Sequence, residues 1–243
     1  MKEKRVAAIA GASSGIGRAT AIHLARIGYA VSICARRSEL IHEIADSIHK
    51  EGGEAFALKA DMTDWKEAQN FIKSTVKELG SIDVLFNNVG AGIRFADFED
   101  LTIEEINEGI AVNLTSVLYG CKAVLPVMKS QKSGHIINTS SILGKRARSG
   151  FSIYTAGKHG VEGFSRSLYN EVKKYGIKVS ILSPAMVNTD WARKAGFDNP
   201  TAKGKIIEPE DIALVVQHLI ELPDHITIWN VDVMALSQTL NPL

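Results

Sequence analysis

The sequence is short of cysteine, of net charge and of long apolar runs, and each shortage removes a class of function. Its two cysteines, Cys34 and Cys121, lie in apolar segments without motif spacing. They are expected to be buried free thiols of a reducing compartment. The 28 Lys and Arg residues against 27 Asp and Glu leave a formal net charge of +1, which provides no broad field for nucleic acid or an anionic membrane surface. Met1-Lys2-Glu3-Lys4-Arg5 leads into an apolar run, 6–10, that stops at Gly11. That run is too short for a signal segment, and no later one reaches about 18 residues, the length of a membrane span. The seven histidines are scattered, with no pairing at ligand spacing, so no metal site is expected. Pro- or Ser-rich linkers, low-complexity tracts and repeats are missing too. The expectation is a cytoplasmic soluble protein of one domain.

What is present is a regular alternation. With 243 residues, 45% hydrophobic and 23% charged, the chain is long enough to bury a substantial core. Strand-like runs, largely apolar, lie at 6–10, 30–34, 55–60, 84–87, 135–139, 179–182 and 226–233. Helical patterns lie between them at 15–28, 38–51, 64–79, 102–129 (with a break near Asn113), 152–175 and 209–221. Strands that are apolar throughout suit a parallel sheet covered on both faces. Repeated β-α-β order then predicts an α/β, doubly wound, Rossmann-like parallel sheet of about seven strands. Pro209, with Glu208, Glu210 and Asp211, signs the start of the last helix, because acids favour the positive end of the helix dipole. The stretch 190–207 has no clear periodicity, and a loop of that length is usually functional.

The polar residues that interrupt this pattern gather at strand ends. Gly11-Ala12-Ser13-Ser14-Gly15-Ile16-Gly17 follows the first strand and opens the first helix. Glycines there let a pyrophosphate approach backbone N–H groups at a helix N-terminus. The second strand ends Ala35-Arg36-Arg37, with no acid before Glu39. A ribose 2′-hydroxyl is usually held by an acid at this point and a 2′-phosphate by arginine, so the pair favours NADP over NAD. Arg36, nearest the strand end, is the first candidate, and Arg37 is expected to turn more toward solvent. Asp61 closes the third strand with Met62 beside it, and Asn87-Asn88-Val89-Gly90 closes the fourth. Asn113 precedes an apolar helical stripe of Leu114, Val117, Leu118, Cys121 and Leu125. Tyr154 and Lys158, four apart, share a helix face with Val161, Phe164, Leu168 and Val172. A lone pair of that kind is most often a tyrosine beside the core and a snorkelling lysine; here the other motifs accompany it.

Taken together these motifs resemble those of the short-chain dehydrogenase/reductase family, over nearly the whole chain. The glycine pattern, Asn-Asn-x-Gly, an asparagine, a serine and Tyr-x-x-x-Lys follow in the family's order and near its separations. The family's serine lies thirteen before the tyrosine, which selects Ser141 over Ser140. Ala10, Val89, Gly157 and Ala185 depart from the usual threonine, alanine, serine and glycine; none removes a reactive group. The resemblance implies a dinucleotide-binding half at about 1–150, with a catalytic helix and substrate loop at about 151–243. It implies Asn113, Ser141, Tyr154 and Lys158 as catalytic residues. Gly11, Ser13, Ser14, Gly15, Ile16, Gly17, Arg36, Arg37, Asp61, Met62, Asn88, Gly90, Tyr154, Lys158 and Thr189 are the expected cofactor contacts.

The expected activity is reduction of a ketone or aldehyde, or the reverse, with NADP(H). A phenol of pKa near 10 is a poor proton exchanger at neutral pH. The ammonium of Lys158 and an oxidised nicotinamide are expected to lower that of Tyr154, while Ser141 holds the substrate oxygen. By resemblance, Lys158 also holds the nicotinamide ribose, Asn113 positions a water, and Thr189 faces the nicotinamide amide. A homo-oligomer, a tetramer paired through helices 113–129 and 152–175, is implied in the same way. Ile142, Phe151, Met186 and Trp191 are candidates for an apolar substrate pocket, and Lys145, Arg146 and Arg148 for recognition of an acidic substrate or carrier. The alternatives are a dinucleotide-sensing regulatory protein with little catalysis, and a related epimerase or dehydratase.

Overall fold

Apolar runs without alternation can be satisfied only where both faces of a strand are covered, and the chain forms such a sheet. The computed structural model describes residues 4–90, 94–191 and 206–238. Strands β1 (Val6–Ala10), β2 (Ala30–Ala35), β4 (Val84–Asn87) and β5 (Gly134–Thr139) are buried at every residue. β3 (Glu54–Lys59) and β7 (Asn230–Val233), half-exposed, form the two edges, and β6 (Ile177–Pro184) is inside β7. The order is β3-β2-β1-β4-β5-β6-β7, and every pairing is parallel. Strand order reverses between β1 and β4, and this switch point is where ligands of such sheets bind.

Helices α1 (Gly15–Arg26), α2 (Ser38–Lys50) and α7 (Pro209–Glu221) cover one face, burying Leu24, Ile41, Ile44, Ile212, Val216 and Leu219 against it. Helices α3 (Trp65–Leu79), α5 (Ser116–Gln131) and α6 (Ser152–Val172) cover the other, around Phe71, Ile72, Val124, Met128, Val161 and Leu168. Local signals agree with these bounds. Asp64 caps α3 by accepting from the Glu67 N–H, and Gly80 ends it at φ 87°. At α7, Pro209 occupies the first turn, and Glu208 and Asp211 bond reciprocally to each other's backbone N–H.

Three expectations are corrected. The break near Asn113 is instead a π turn, Ala111–Thr115, between α4 (Ile103–Ile110) and α5. Widening the helix there shifts its buried stripe: Val112, Ser116, Gly120, Val124 and Met128 are buried, while Leu114, Leu118 and Leu125 are only partly so. Ile103–Gln131 is long and apolar enough to cross a membrane, yet Val117, Cys121, Val124 and Met128 sit at zero exposure in the core. Second, β7 begins at Asn230, not at 226. Third, α6 buries Glu162 and Ser165 along with the expected face, and Phe164 only in part. Of the aperiodic stretch 190–207, residues 192–205 lie outside the described residues. Its two ends meet, Val187 bridging Ile207 and Asn188 N–H donating to the Ile207 carbonyl.

Candidate active site

The C-terminal ends of β1, β4 and β5 open on a cleft of about 870 Å³. Its floor on one side is the glycine loop. Gly11 (φ 80°) and Ala12 donate to the Cys34 carbonyl, which folds the loop back toward β2. A Cβ on Gly17 would sit 2.3 Å from the Gly11 carbonyl oxygen, so Gly17 is the residue that lets α1 pack onto the loop. α1 starts after Ser14 with no side-chain cap and no acid in its first turn, leaving its N–H groups and positive dipole end for an anion.

Arg37 closes the loop from above. Its Nε and Nη2 donate to Ser13 Oγ at 3.2 and 2.8 Å, and Nη2 donates to Ser14 Oγ at 2.7 Å. Arg36 leaves on the other side, its Nη1 4.0 Å from Asp61 Oδ2. Of the pair it is thus Arg37, expected to turn more toward solvent, that bonds to the glycine loop. Successive side chains of an extended segment alternate, and with Arg37 still extended at φ −85°, ψ 91° it is the second arginine that points back over the glycine loop. Asp61 is further held by Thr63, whose N–H and Oγ1 donate to its Oδ1 at 2.9 and 2.7 Å.

Ser141, Tyr154 and Lys158 meet at the other end. Ser141 precedes a 3₁₀ turn, Ile142–Gly144, and its Oγ accepts from the Leu143 N–H at 3.2 Å. Its hydroxyl shares the cleft wall with Tyr154 and acts to lower the phenol's pKa. Lys158 lies one turn further along α6, buried, with Nζ donating to the Thr139 carbonyl at 2.9 Å and 5.7 Å from the Tyr154 ring centroid. Burial pushes the Tyr154 phenol up to about 12, opposed only by the Ser141 hydroxyl. In the protein without cofactor the desolvation of a phenolate thus dominates; the expected lowering joined Lys158 with an oxidised nicotinamide. Burial likewise lowers Lys158 to about 8.

The Lys158 shift has a consequence for stability. Its folded pKa lies below its unfolded one, so between about pH 8 and the ordinary lysine value the unfolded chain binds more protons, and stability rises with pH across that window. Below about pH 8 the penalty for the buried charge is fully present. In Lys158→Met this dependence disappears. The stability of the variant relative to wild type is expected to be highest at neutral pH and to fall as pH rises from 8 toward 10, measured by thermal melts across that range. A pH-independent difference would show that Lys158 is not desolvated.

Asn113 is fully buried and donates from Nδ2 to the Gly109 carbonyl at 3.0 Å. A Cβ on Gly90 would stand at ordinary contact distance, 3.6 Å from Lys158 Nζ and 3.7 Å from Asn113 Oδ1, so Gly90 lies where those two groups converge. Gly157 has its reason here too: a Cβ would lie 2.9 Å from Asn113 Cβ. Asn88 ties loop to loop, its Nδ2 donating to the Gly11 carbonyl and its Oδ1 accepting from Thr139 Oγ1.

Gly11, Ser13, Ser14, Gly15, Ile16, Arg36, Arg37, Asp61, Met62, Asn88, Gly90, Ser141, Tyr154, Lys158 and Thr189 all line the cleft, whereas Gly17 and Asn113 sit behind its wall. Ile142, Phe151, Met186 and Trp191 line it as well. Trp191 lies 5.5 Å from the Tyr154 ring, and Phe151 6.4 Å. Sequence reasoning missed Phe95, which stacks on Phe151 at 4.0 Å and meets Tyr154 edge-on at 6.5 Å; no periodic signal marks its segment. The basic cluster divides. Lys145 is drawn to Asn230 and Asp232 on β7, while Arg146 and Arg148 line the cleft, Arg148 over the Phe151 ring at 5.1 Å.

A parallel sheet with its cleft at the β1/β4 switch point, a glycine loop at one end and a Ser–Tyr–Lys cluster at the other define a nucleotide-dependent class of α/β protein. The chain belongs to the short-chain dehydrogenase/reductase family and is an oxidoreductase: the short chain dehydrogenase family profile matches residues 5–199. Among relatives, an uncharacterized oxidoreductase of Staphylococcus aureus (strain USA300) is 33% identical over 229 residues, covering 94% of this chain and 96% of its own. Carbonyl reductase family member 4 of Xenopus laevis is 35% identical over 222 residues, covering 90% and 92%. The fold is similar to that of an alcohol dehydrogenase from the archaeon Thermococcus sibiricus complexed with 5-hydroxy-NADP. That similarity has a TM-score of 0.90 at 30% identity, covering 99% of this chain and all of the other.

Proposed function

We propose that the protein reduces a ketone or aldehyde with NADPH, or runs the reverse reaction, and that Tyr154 exchanges the proton. The observation that carries this reading is the meeting of Ser141, Tyr154 and Lys158 on the wall of a cleft that extends to the glycine loop. The residues present fit a dinucleotide bearing a 2′-phosphate. Arg37, Ser13 and Ser14 form a donor cluster beside the uncapped N-terminus of α1, and Ala35 offers no carboxylate in competition. Asp61 and Met62 would flank the adenine, Gly90 and Lys158 would adjoin the nicotinamide ribose, and Thr189 would stand by the amide. Support also comes from the Thermococcus structure, which carries 5-hydroxy-NADP, and from the name of the Xenopus relative.

When bound, NADPH supplies the hydride to the carbonyl carbon. The chain handles the oxygen. Tyr154, kept protonated by burial, donates its proton to the developing alkoxide. Ser141 donates a hydrogen bond to the same oxygen, and the contact strengthens as charge grows. The proton that Tyr154 gives up is replaced from solvent, relayed through Lys158 and a water that Asn113 would position. Trp191, Phe151 and Phe95 wall off bulk water. The reading includes a cytoplasmic homotetramer paired through α5 and α6; light scattering is expected to give four times 26.4 kDa, and a monomer at micromolar concentration would refute the assembly.

The function itself is tested by following NADPH consumption with purified protein over a panel of aldehydes and ketones. Carbonyl-dependent oxidation is the expected result. Tight NADPH binding with no turnover on any of them would favour the sensing protein.

A further inference from the structure

Behind the Ser141 turn runs a polar chain that the reaction does not use directly. Glu162, one turn beyond Lys158 on α6, is buried, and its carboxylate is fully engaged. Oε1 accepts from Ser183 Oγ on β6 at 2.9 Å, and Oε2 accepts from Asn230 Nδ2 on β7 and from Arg166 Nη2, both at 3.0 Å. Asn230 Oδ1 in turn accepts from Lys145 Nζ, which also donates to Asp232 Oδ1. Two carboxylates and two cations balance, so the buried Glu162 charge is compensated rather than isolated. The chain ends on Lys145, the residue that follows the Ile142–Gly144 turn. That turn is pressed hard against α6: a Cβ on Gly144 would lie 2.3 Å from Ser140 Oγ, 3.0 Å from the Lys158 carbonyl oxygen and 3.1 Å from Glu162 Cγ. Ser140 Oγ donates to that same Lys158 carbonyl at 3.3 Å.

We propose that Lys145 is a positioning residue: through the bridge Glu162–Asn230–Lys145–Asp232 it fixes the Ser141 turn against the helix that carries Tyr154 and Lys158. Residue 141 is held on its N-terminal side by the β5 ladder and the Ser140 contacts. On its C-terminal side three residues of 3₁₀ turn separate it from the Lys145 anchor. A 3₁₀ turn has weak hydrogen-bond geometry and little stability of its own, so the side chain that pins its far end sets how closely the Ser141 hydroxyl faces Tyr154. Misplacement by a fraction of an ångström at this point costs rate rather than affinity. Lys145 thus leaves the basic cluster facing the cleft and serves the scaffold behind the reacting groups.

The inference rests on the reduction reading for its kinetic arm and not for its structural one. In Lys145→Met, without ligand, amide exchange at Gly144 and at position 145, whose N–H groups bond to the Ser141 and Ile142 carbonyls, is expected to quicken about tenfold or more, with α5 and β5 unchanged. On a carbonyl substrate, kcat is expected to fall about tenfold with the NADPH dissociation constant within twofold of wild type, and Lys145→Arg is expected to recover most of it. The decisive measurement is a double-mutant cycle. In a Ser141→Ala background, Lys145→Met is expected to change kcat less than twofold, because what Lys145 positions is already gone. An equal loss in both backgrounds, or exchange at the turn no faster than in wild type, overturns the inference. If the turn loosens as expected but neither protein reduces any carbonyl, the reduction reading fails and takes the kinetic role with it, leaving Lys145 a purely structural brace.

Discussion

Tyr154→Phe is expected to lose roughly 10²–10⁴-fold in turnover, the range for removal of a general acid, while NADPH affinity stays within about twofold. The substitution keeps the ring and its packing against Trp191 and Phe151 and removes only the hydroxyl. Because burial holds the wild-type phenol near 12, the group is fully protonated through the neutral range, and reduction by wild type should show no loss of rate from tyrosine ionisation below about pH 9. Steady-state kinetics on one good carbonyl substrate, with fluorescence titration of cofactor, check both parts. A variant that keeps near-native turnover would remove Tyr154 as the acid.

Arg37→Ala is expected to weaken NADPH binding by about ten- to a hundredfold and to leave NADH nearly untouched. A charge-assisted contact to a phosphate is worth about 1.5–3 kcal/mol, and each 1.4 kcal/mol is about a decade. Arg37 is the arginine aimed across Ser13 and Ser14, whereas Arg36 lies toward Asp61 at 4.0 Å, so Arg36→Ala should cost less. The preference is expected to shrink as salt is added, since both guanidinium groups are exposed and screened. Calorimetric titration of both cofactors at two ionic strengths reads all of this. Equal affinity of wild type for NADH and NADPH at moderate ionic strength would contradict the role assigned to the arginine pair.

The arginines also show where sequence reasoning reaches its limit. That two cations follow β2 was visible; which of them faces the glycine loop depended on where the strand's alternation carries on past Ala35, and this is a property of the backbone at Arg37. The sheet was legible because strands buried on both faces carry a signal at every residue. Its edge β7 starts later than the pattern suggests: at 226–229 hydrogen bonds from β6, such as Ile181 N–H to the Trp229 carbonyl, reach an otherwise irregular segment. Asn113 was recognised as a polar residue at a core-facing helix. The π turn around it was not, since an inserted residue alters helix phase without altering composition. Tyr154 and Lys158 stand out by their spacing and Ser141 by the resemblance to the family, and the cleft brings the three together. Glu162 and Lys145 were invisible as partners because their link runs through Asn230, far along the chain. Phe95 had no helical or strand period to announce it, only its later stacking on Phe151.

The central claim is that a hydride passes from NADPH to a carbonyl carbon while Tyr154 delivers the proton. The most direct measurement uses NADPH carrying deuterium at the reactive position of the nicotinamide, with a carbonyl substrate found in the panel. The alcohol is then examined by mass spectrometry and proton NMR. The account predicts one deuterium per product molecule, on the carbinol carbon, with one stereochemical outcome, formed by wild type and only in trace by Tyr154→Phe. Product without deuterium on that carbon, or cofactor returned unchanged after turnover as an epimerase or dehydratase would leave it, would contradict it.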